Sequence, residues 1–473
     1  MEKRQPLRVF IFLVCVLACA DAQEQGNPRP EPGAAPAVDS GPTGDNLPLS
    51  AVDQPSLEPN ASNRSLVNSG LEVSQGVDSN AKSEPGASDV TGVTRVLGTI
   101  SLQKQWRRES LNIGYLGGGS FSSSAVVGVT QEHLVGAVQR FIWRSGQIAL
   151  RDSFSYLPEG TFGNGAFGGS GGLIGIAGMD TGMGGGLGGL GGLGGTSILS
   201  SGQFGSLGQE PRITNNATMD VVQELTPRSS LTLAGSYGLL HFVNDVPNSI
   251  NSRQLSGQAG YNYQLNRADQ IGIVYGFQDF HYPELAGTAL RSHVANVLYG
   301  RRISERMDLI IGGGPQATRI EDPISGSRWT ISGTGQASLR YRFPRSSLAL
   351  GYRRFNTSGS GIVPGAISDV VTFAVSKPIG RKWSTTVDTG YARNSSLLPA
   401  SSSLQSQQYS YWYAGAGLRR QLGRYFGLFS GYQYNQQLFD SSFCGTGSAC
   451  ASSTGRHSAA VGIDWHPSPI RLD

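Results

Sequence analysis

Few side chains in this sequence could do covalent or metal chemistry. Gly168 to Gly172, centred on Ser170, match the Gly-x-Ser-x-Gly pattern of a nucleophile elbow. The match lies inside a glycine tract, where it is expected by chance, and no strand followed by a helix frames it. The six histidines are scattered, without His-x-x-His or His-Glu-x-x-His spacing, and no cysteines pair at metal spacing. The glycine run Gly184 to Gly195 lacks the Gly-Lys-Ser/Thr ending of a phosphate loop. Asn60, Asn63, Asn216, Asn356 and Asn394 head Asn-x-Ser/Thr sequons, which matter only in a eukaryotic host. No metal, cofactor or enzymatic chemistry is therefore expected. A net charge of +4, thinly spread, also argues against nucleic acid as a partner.

The meaning of the cysteines depends on whether the chain reaches an oxidising compartment. Cys15 and Cys19 lie near the N terminus, whereas Cys444 and Cys450 sit close together in a Gly/Ser-rich stretch. In such a compartment the latter two could close one small loop, the alternative being two free thiols.

The remaining candidates are polar side chains whose meaning depends on a wall that carries them. Charged residues make up only 15% of the chain and hydrophobic ones 38%, while glycine reaches 67 residues. That is too little charge for an ordinary soluble domain and too little apolar residue for a helical membrane protein. From about Thr94 onward, short segments alternate with period two. Trp329, Ile331, Gly333, Gly335, Ala337, Leu339, Tyr341 and Phe343 fall on one face, opposite Thr330, Ser332, Thr334, Gln336, Ser338, Arg340 and Arg342. Ile271 to Gln278 and Ser458 to Trp465 repeat the pattern. These runs exceed the usual strand of about five or six residues and match the 9 to 11 that cross a membrane at a tilt.

The connections alternate as well. Short ones carry an arginine: Arg144, Arg228, Arg267, Arg306, Arg345, Arg381 and Arg424, four of them 39 residues apart. Between them come longer polar stretches, such as Asp245 to Asn251 and Asp440 to Gly455. Trp143, Phe343, Trp383 and Tyr425 flank the short turns, where an interfacial aromatic girdle would lie. These signals predict an all-β fold: a closed antiparallel transmembrane β-barrel of about 18 strands, with 16 as the other count. The count takes thirteen strands after the glycine tract. The five before it are Thr94 to Gln105, Ser110 to Leu116, Phe121 to Thr130, His133 to Trp143 and Gln147 to Tyr156. Both termini then fall on the short-turn side, and Trp106-Arg107-Arg108 falls on the long-loop side.

The ends complete the organisation. Residues 1–22 read as a signal peptide: Lys3, Arg4 and Arg8 precede an apolar run, with Ala18-Cys19-Ala20 or Ala20-Asp21-Ala22 as cleavage site. Val16-Leu17-Ala18-Cys19 loosely resembles a lipobox, so lipidation of Cys19 is the alternative. Residues 23–92, rich in Pro, Gly and Ser, are expected to be disordered. The barrel occupies 93–467, with a glycine-rich loop at 158–211, and 468–473 form a tail. That loop could lie exposed, fold into the lumen as a constriction, or pack against itself.

By these features the chain resembles the porin-like outer-membrane barrels of bacteria, in architecture and without a family-specific motif. The resemblance implies membrane lipid and the barrel-assembly machinery as partners. Such barrels commonly end on an aromatic residue; here Trp465 is followed by His466-Pro467-Ser468-Pro469 and four more residues. Strand parity points Gln278, Arg340, Arg342, Asp388 and Asp464 inward, where they would line a pore or merely hydrogen-bond to stiffen the wall. Two functions follow: a passive channel for small hydrophilic solutes, or a plugged structural barrel whose long loops bind a partner.

Overall fold

A computed structural model describes residues 48–51, 65–80, 90–123, 128–157, 211–244, 250–285, 287–323, 326–359, 364–397, 408–439 and 453–472. The first five strands are β1 (Leu66–Asp78), β2 (Thr91–Gln105), β3 (Glu109–Ser122), β4 (Val129–Trp143) and β5 (Gly146–Leu157). After the glycine-rich connection come β6 (Arg212–Thr226), β7 (Ser229–Phe242), β8 (Ser252–Gln264), β9 (Asp269–His281) and β10 (Ala289–Ser304). Next are β11 (Met307–Asp322), β12 (Gly326–Arg342), β13 (Ser347–Gly359), β14 (Pro364–Ile379) and β15 (Trp383–Ser396). The last are β16 (Gln408–Gln421), β17 (Phe426–Phe439), β18 (Ser453–Trp465) and the two-residue β19 (Ile470–Arg471). β1 to β18 each pair antiparallel with their sequence neighbours, β19 pairs with β1, and β1 closes on β18 from Leu71 opposite Trp465 to Asp78 opposite Ser458. The result is a closed barrel of 18 strands, whose wall pairs its backbone strand to strand without water except along part of one seam.

The count agrees with expectation, but one strand is different. Leu66–Asp78 forms β1, inside the stretch read as disordered, so the barrel begins well before residue 93. Conversely, Phe121 to Thr130 is not one strand. Ser122 ends β3 and Val129 begins β4, with Gly128 at a φ of +63° between them. With β1 restored, Trp106-Arg107-Arg108 moves to the short-turn rim, and all eight turns on that rim carry an arginine. The expected tail is also corrected: Ile470 and Arg471 pair with Val67 and Leu66, so the chain resumes the closing strand after the Pro467–Pro469 interruption.

The two faces separate cleanly. On β9, Ile271, Ile273 and Tyr275 are exposed while Gly272, Val274, Gly276, Gln278 and Phe280 are buried. The same alternation leaves Val73, Leu233, Tyr261, Val297, Ile331, Leu350 and Val461 exposed on the outside. A soluble protein would not leave such a continuous apolar exterior to water, so the wall is built to stand in lipid. Towards the long loops the exterior carries Tyr115–His133, Tyr275–His293 and Tyr432–His457 hydrogen-bonded pairs at 2.8 to 2.9 Å. Towards the short turns it carries Trp143, Trp383 under the Arg420 guanidinium, and Tyr425 under that of Arg424. From His133 to Trp143, ten residues at about 3.3 Å each and a tilt near 40° give a band of about 25 Å, the height of a barrel's apolar belt.

Two features break the regular wall. First, β12 and β13 pair only from Gly335–Arg354 down to Arg342–Ser347, so Gly326–Thr334 and Phe355–Gly359 are unpaired across that seam. Above the seam β13 leans inward. The Asn356 amide donates to Ser292 Oγ (3.3 Å) and Thr318 Oγ1 (2.8 Å) on the inner faces of β10 and β11. Leu397, just after β15, joins Ile250, Phe280, Tyr282, Leu290 and Ile320 in an apolar cluster at the long-loop end. The Tyr282 hydroxyl donates to Ser358 O at 2.8 Å, and burial pushes that phenol's pKa up. Second, Pro48–Ala51 from the N-terminal extension lies against the inner wall.

Candidate functional site: the barrel lumen

The inner wall divides into two arcs. On one, β7 to β11 present hydroxyls, amides and aliphatic side chains. There the segment Pro48–Ala51 is seated, with Leu49 3%, Ser50 0% and Ala51 2% exposed. Leu49 packs on Val274, Val294, Leu298 and Ile310. The Ser50 amide donates to Asn262 Oδ1 (3.1 Å), and its hydroxyl meets Thr232 Oγ1 and Asn262 Nδ2, each at 2.5 Å. Gln258 Nε2 donates to Ser50 O at 3.1 Å. Two glycines make the seat: a Cβ at Gly260 would strike Ser50, and one at Gly300 would come within 2.6 Å of Leu49. The wall is thus shaped to receive this segment.

On the other arc, inward charges are paired between strands. Arg95 lies 3.3 Å from Glu132, Arg456 2.5 Å from Asp78 and Arg419 2.6 Å from Asp464, and Arg151 pairs with Asp220. Charges inside a low-dielectric wall need such partners. They also leave both signs at the lumen surface.

The structure places all five sequence-selected residues on inward positions. Gln278 (2% exposed) stands on the aliphatic arc, near the seam. Arg340 and Asp388, both 7% exposed, lie on β12 and β15, and Arg342 is at the exposed short-turn end of β12. Asp464 is fully buried between Arg419 and His466 Nε2, each 2.6 Å away, which is a wall-stiffening arrangement. The three sequons within described residues are buried, Asn216 at 4%, Asn356 at 3% and Asn394 at 1%, so none is available to a glycan. Ser170, the glycine tract, Cys19 and the Cys444–Cys450 pair lie outside the described residues. Among the described residues no group of three His, Cys, Asp or Glu could hold a metal. Sequence reasoning missed the Pro48–Ala51 segment, since four residues without period carry no signal of what they pack against.

No known protein family and no curated protein matches this chain. Solved structures of similar shape include the Pseudomonas aeruginosa outer-membrane protein opdK, at 10% identity and a TM-score of 0.42, covering 85% of this chain and 98% of that one. Pseudomonas aeruginosa OccK2 (OpdF) in complex with glucuronate gives 10% and 0.40, covering 86% and 98%. OpdL of the same organism gives 9% and 0.39, covering 86% and 99%. At such low identity and score these likenesses carry no argument about what passes through this lumen.

Proposed function

We propose that this chain is an outer-membrane channel for small hydrophilic solutes, held closed by its own N-terminal segment. The observation that carries the reading is the wall itself: 18 antiparallel strands, apolar outside and polar or charged inside. A barrel of 16 to 18 strands has more circumference than side chains alone need to fill, so it suits an aqueous path. Pro48–Ala51 occupies the arc opposite the paired charges. Its release would widen the lumen on the side where the wall is smooth, leaving Arg340, Asp388 and the ion pairs to sort solutes by charge.

The same segment also favours a second reading, a permanently plugged barrel whose loops bind a partner. Single-channel recording of the refolded chain in a planar bilayer separates them. Stable open steps that become frequent when residues 48–51 are deleted support the gated channel. Folded, heat-modifiable barrel with no conductance in either form refutes it and leaves the plugged barrel.

A further inference from the structure

The seat of Pro48–Ala51 is shaped for a class of molecule, and the segment in it shows which class. The Pro48 carbonyl accepts from the Ala51 amide at 3.0 Å, so the four residues form a turn with Leu49 and Ser50 at its tip. The wall addresses those two tip residues in three ways.

The main chain comes first. Asn262 Oδ1 accepts from the Ser50 amide and Gln258 Nε2 donates to the Ser50 carbonyl, both at 3.1 Å. These bonds ignore the side chain, so most residues at that position could form them. The hydroxyl comes second, held by Thr232 Oγ1 and Asn262 Nδ2. Third is an aliphatic socket: Val274, Val294, Leu298 and Ile310 close around Leu49 from three neighbouring strands.

A peptide supplies all three at once. A sugar would bond to Thr232, Gln258 and Asn262 but leave the socket unfilled. A hydrocarbon would fill the socket and leave three buried polar side chains without partners. None of these wall groups carries a charge, so an ionised side chain at either tip position would be buried unpaired.

One wall atom is left over. Gln258 is 6% exposed, and its Oε1, on the same amide that donates to Ser50, meets no partner among the described residues. A buried acceptor without a donor costs stability. Gln258 thus has a place for one more N–H than the resident turn supplies.

We propose that this seat is a binding site for short peptides that carry an aliphatic residue followed by a hydroxyl residue. Pro48–Ala51 is its resident imitation. The inference rests on the gated-channel reading: such peptides are the solutes, and an arriving peptide competes with the segment for one seat. A tethered segment acts at an effective concentration of roughly millimolar, so free peptide on the order of 1 mM competes with it.

Saturation-transfer NMR tests this without requiring conductance. The probe is acetyl-Pro-Leu-Ser-Ala-amide, added to the refolded chain lacking residues 48–51 in lipid nanodiscs. Saturable binding with a Kd on the order of 1 mM is expected, weakened at least tenfold when the peptide carries Glu in place of Leu. The intact chain should bind less than half as much at 1 mM peptide, because its own segment holds the seat. Gly300→Val in the shortened chain fills the socket and should abolish binding, with heat-modifiability reporting the folded barrel. The peptide exchange alters nothing in the protein, so it decides the matter even if that variant does not fold. Equal binding of the Leu and Glu peptides, none above empty nanodiscs, or binding that survives Gly300→Val in a folded barrel overturns the peptide site. Arabinose flux into liposomes through the same shortened chain reads the channel independently. Flux without peptide binding removes the peptide site and leaves the channel, whereas binding without flux removes the channel and leaves the site.

Discussion

Replacing Leu49 by alanine should convert the channel from mostly closed to mostly open. The seat of this segment is nearly balanced. Burying Leu49 contributes about 2 kcal/mol, and the four shorter hydrogen bonds of Ser50, leaving aside the 3.5 Å contact from Thr232 Oγ1 to its carbonyl, about 1 kcal/mol each net. Ordering Pro48–Ala51 costs about 1.5 kcal/mol per residue, roughly 6 kcal/mol in all. With a small gain from Ala51, the seated state is favoured by only about 1 kcal/mol, a closed fraction near 85%. Losing about 2 kcal/mol with Leu49 shifts that equilibrium about 30-fold, to a closed fraction near 15%. Open probability in a planar bilayer reads this directly. Gly300→Val leaves the segment intact but fills the space that Leu49 occupies, so it should give the same change. Less than a twofold change in both variants, with heat-modifiable barrel retained, would refute the balance and the gate together.

Further outcomes are expected. Arg340→Glu reverses an inward charge on β12 and should shift reversal potentials towards cation preference; unchanged selectivity places Arg340 off the path. Asp464→Asn removes the charge of a fully buried carboxylate whose partner, Arg419, is about a third exposed, and should cost about 2 kcal/mol. That loss would appear as loss of the folded gel band at a lower temperature, and an unchanged transition would mean the pair is dispensable. Removing residues 470–473 takes away the pairing of β19 with Leu66 and Val67, so the yield of folded barrel should fall, with assembly at wild-type yield as the contrary result. Cys444 and Cys450 should resist maleimide until reduced, whereas prompt labelling would show two free thiols.

Much of this barrel is legible from alternation because the wall is one layer thick. Each residue of β9 or β12 faces either lipid or lumen, and the sequence records that choice at every second position. β1 escaped notice for a physical reason. Its outward residues Leu71, Val73 and Val77 alternate, but they are aliphatic, lack aromatic neighbours and follow a Pro/Ser-rich stretch whose composition hides a short strand. The Phe121 to Thr130 error has the opposite origin: alternation at the end of β3 resumes at the start of β4, and among the described residues between them Gly128 is left-handed. The five inward residues were readable by parity. Whether an inward charge lines a path or stiffens the wall depends on its partner, and Arg419 lies 45 residues from Asp464.

The lumen segment and the seam were not legible at all, and for a shared reason. Each depends on side chains from distant strands meeting at one height, which no local period encodes. Ser50 finds Thr232 and Asn262, 182 and 212 residues away. Asn356 finds Ser292 and Thr318 across the inner face. Both devices lean on the arc made by β7 to β11, one at its short-turn half and one at its long-loop half. Both sets of contacts fall on the arc lined with hydroxyls, amides and aliphatics. The opposite arc fixes the cylinder with paired charges. A hydroxyl or amide can exchange partners at small cost, whereas separating a buried ion pair costs several kcal/mol. The chemistry of each arc thus suits its part, and substitutions on the two should divide into those that change passage and those that unfold the barrel.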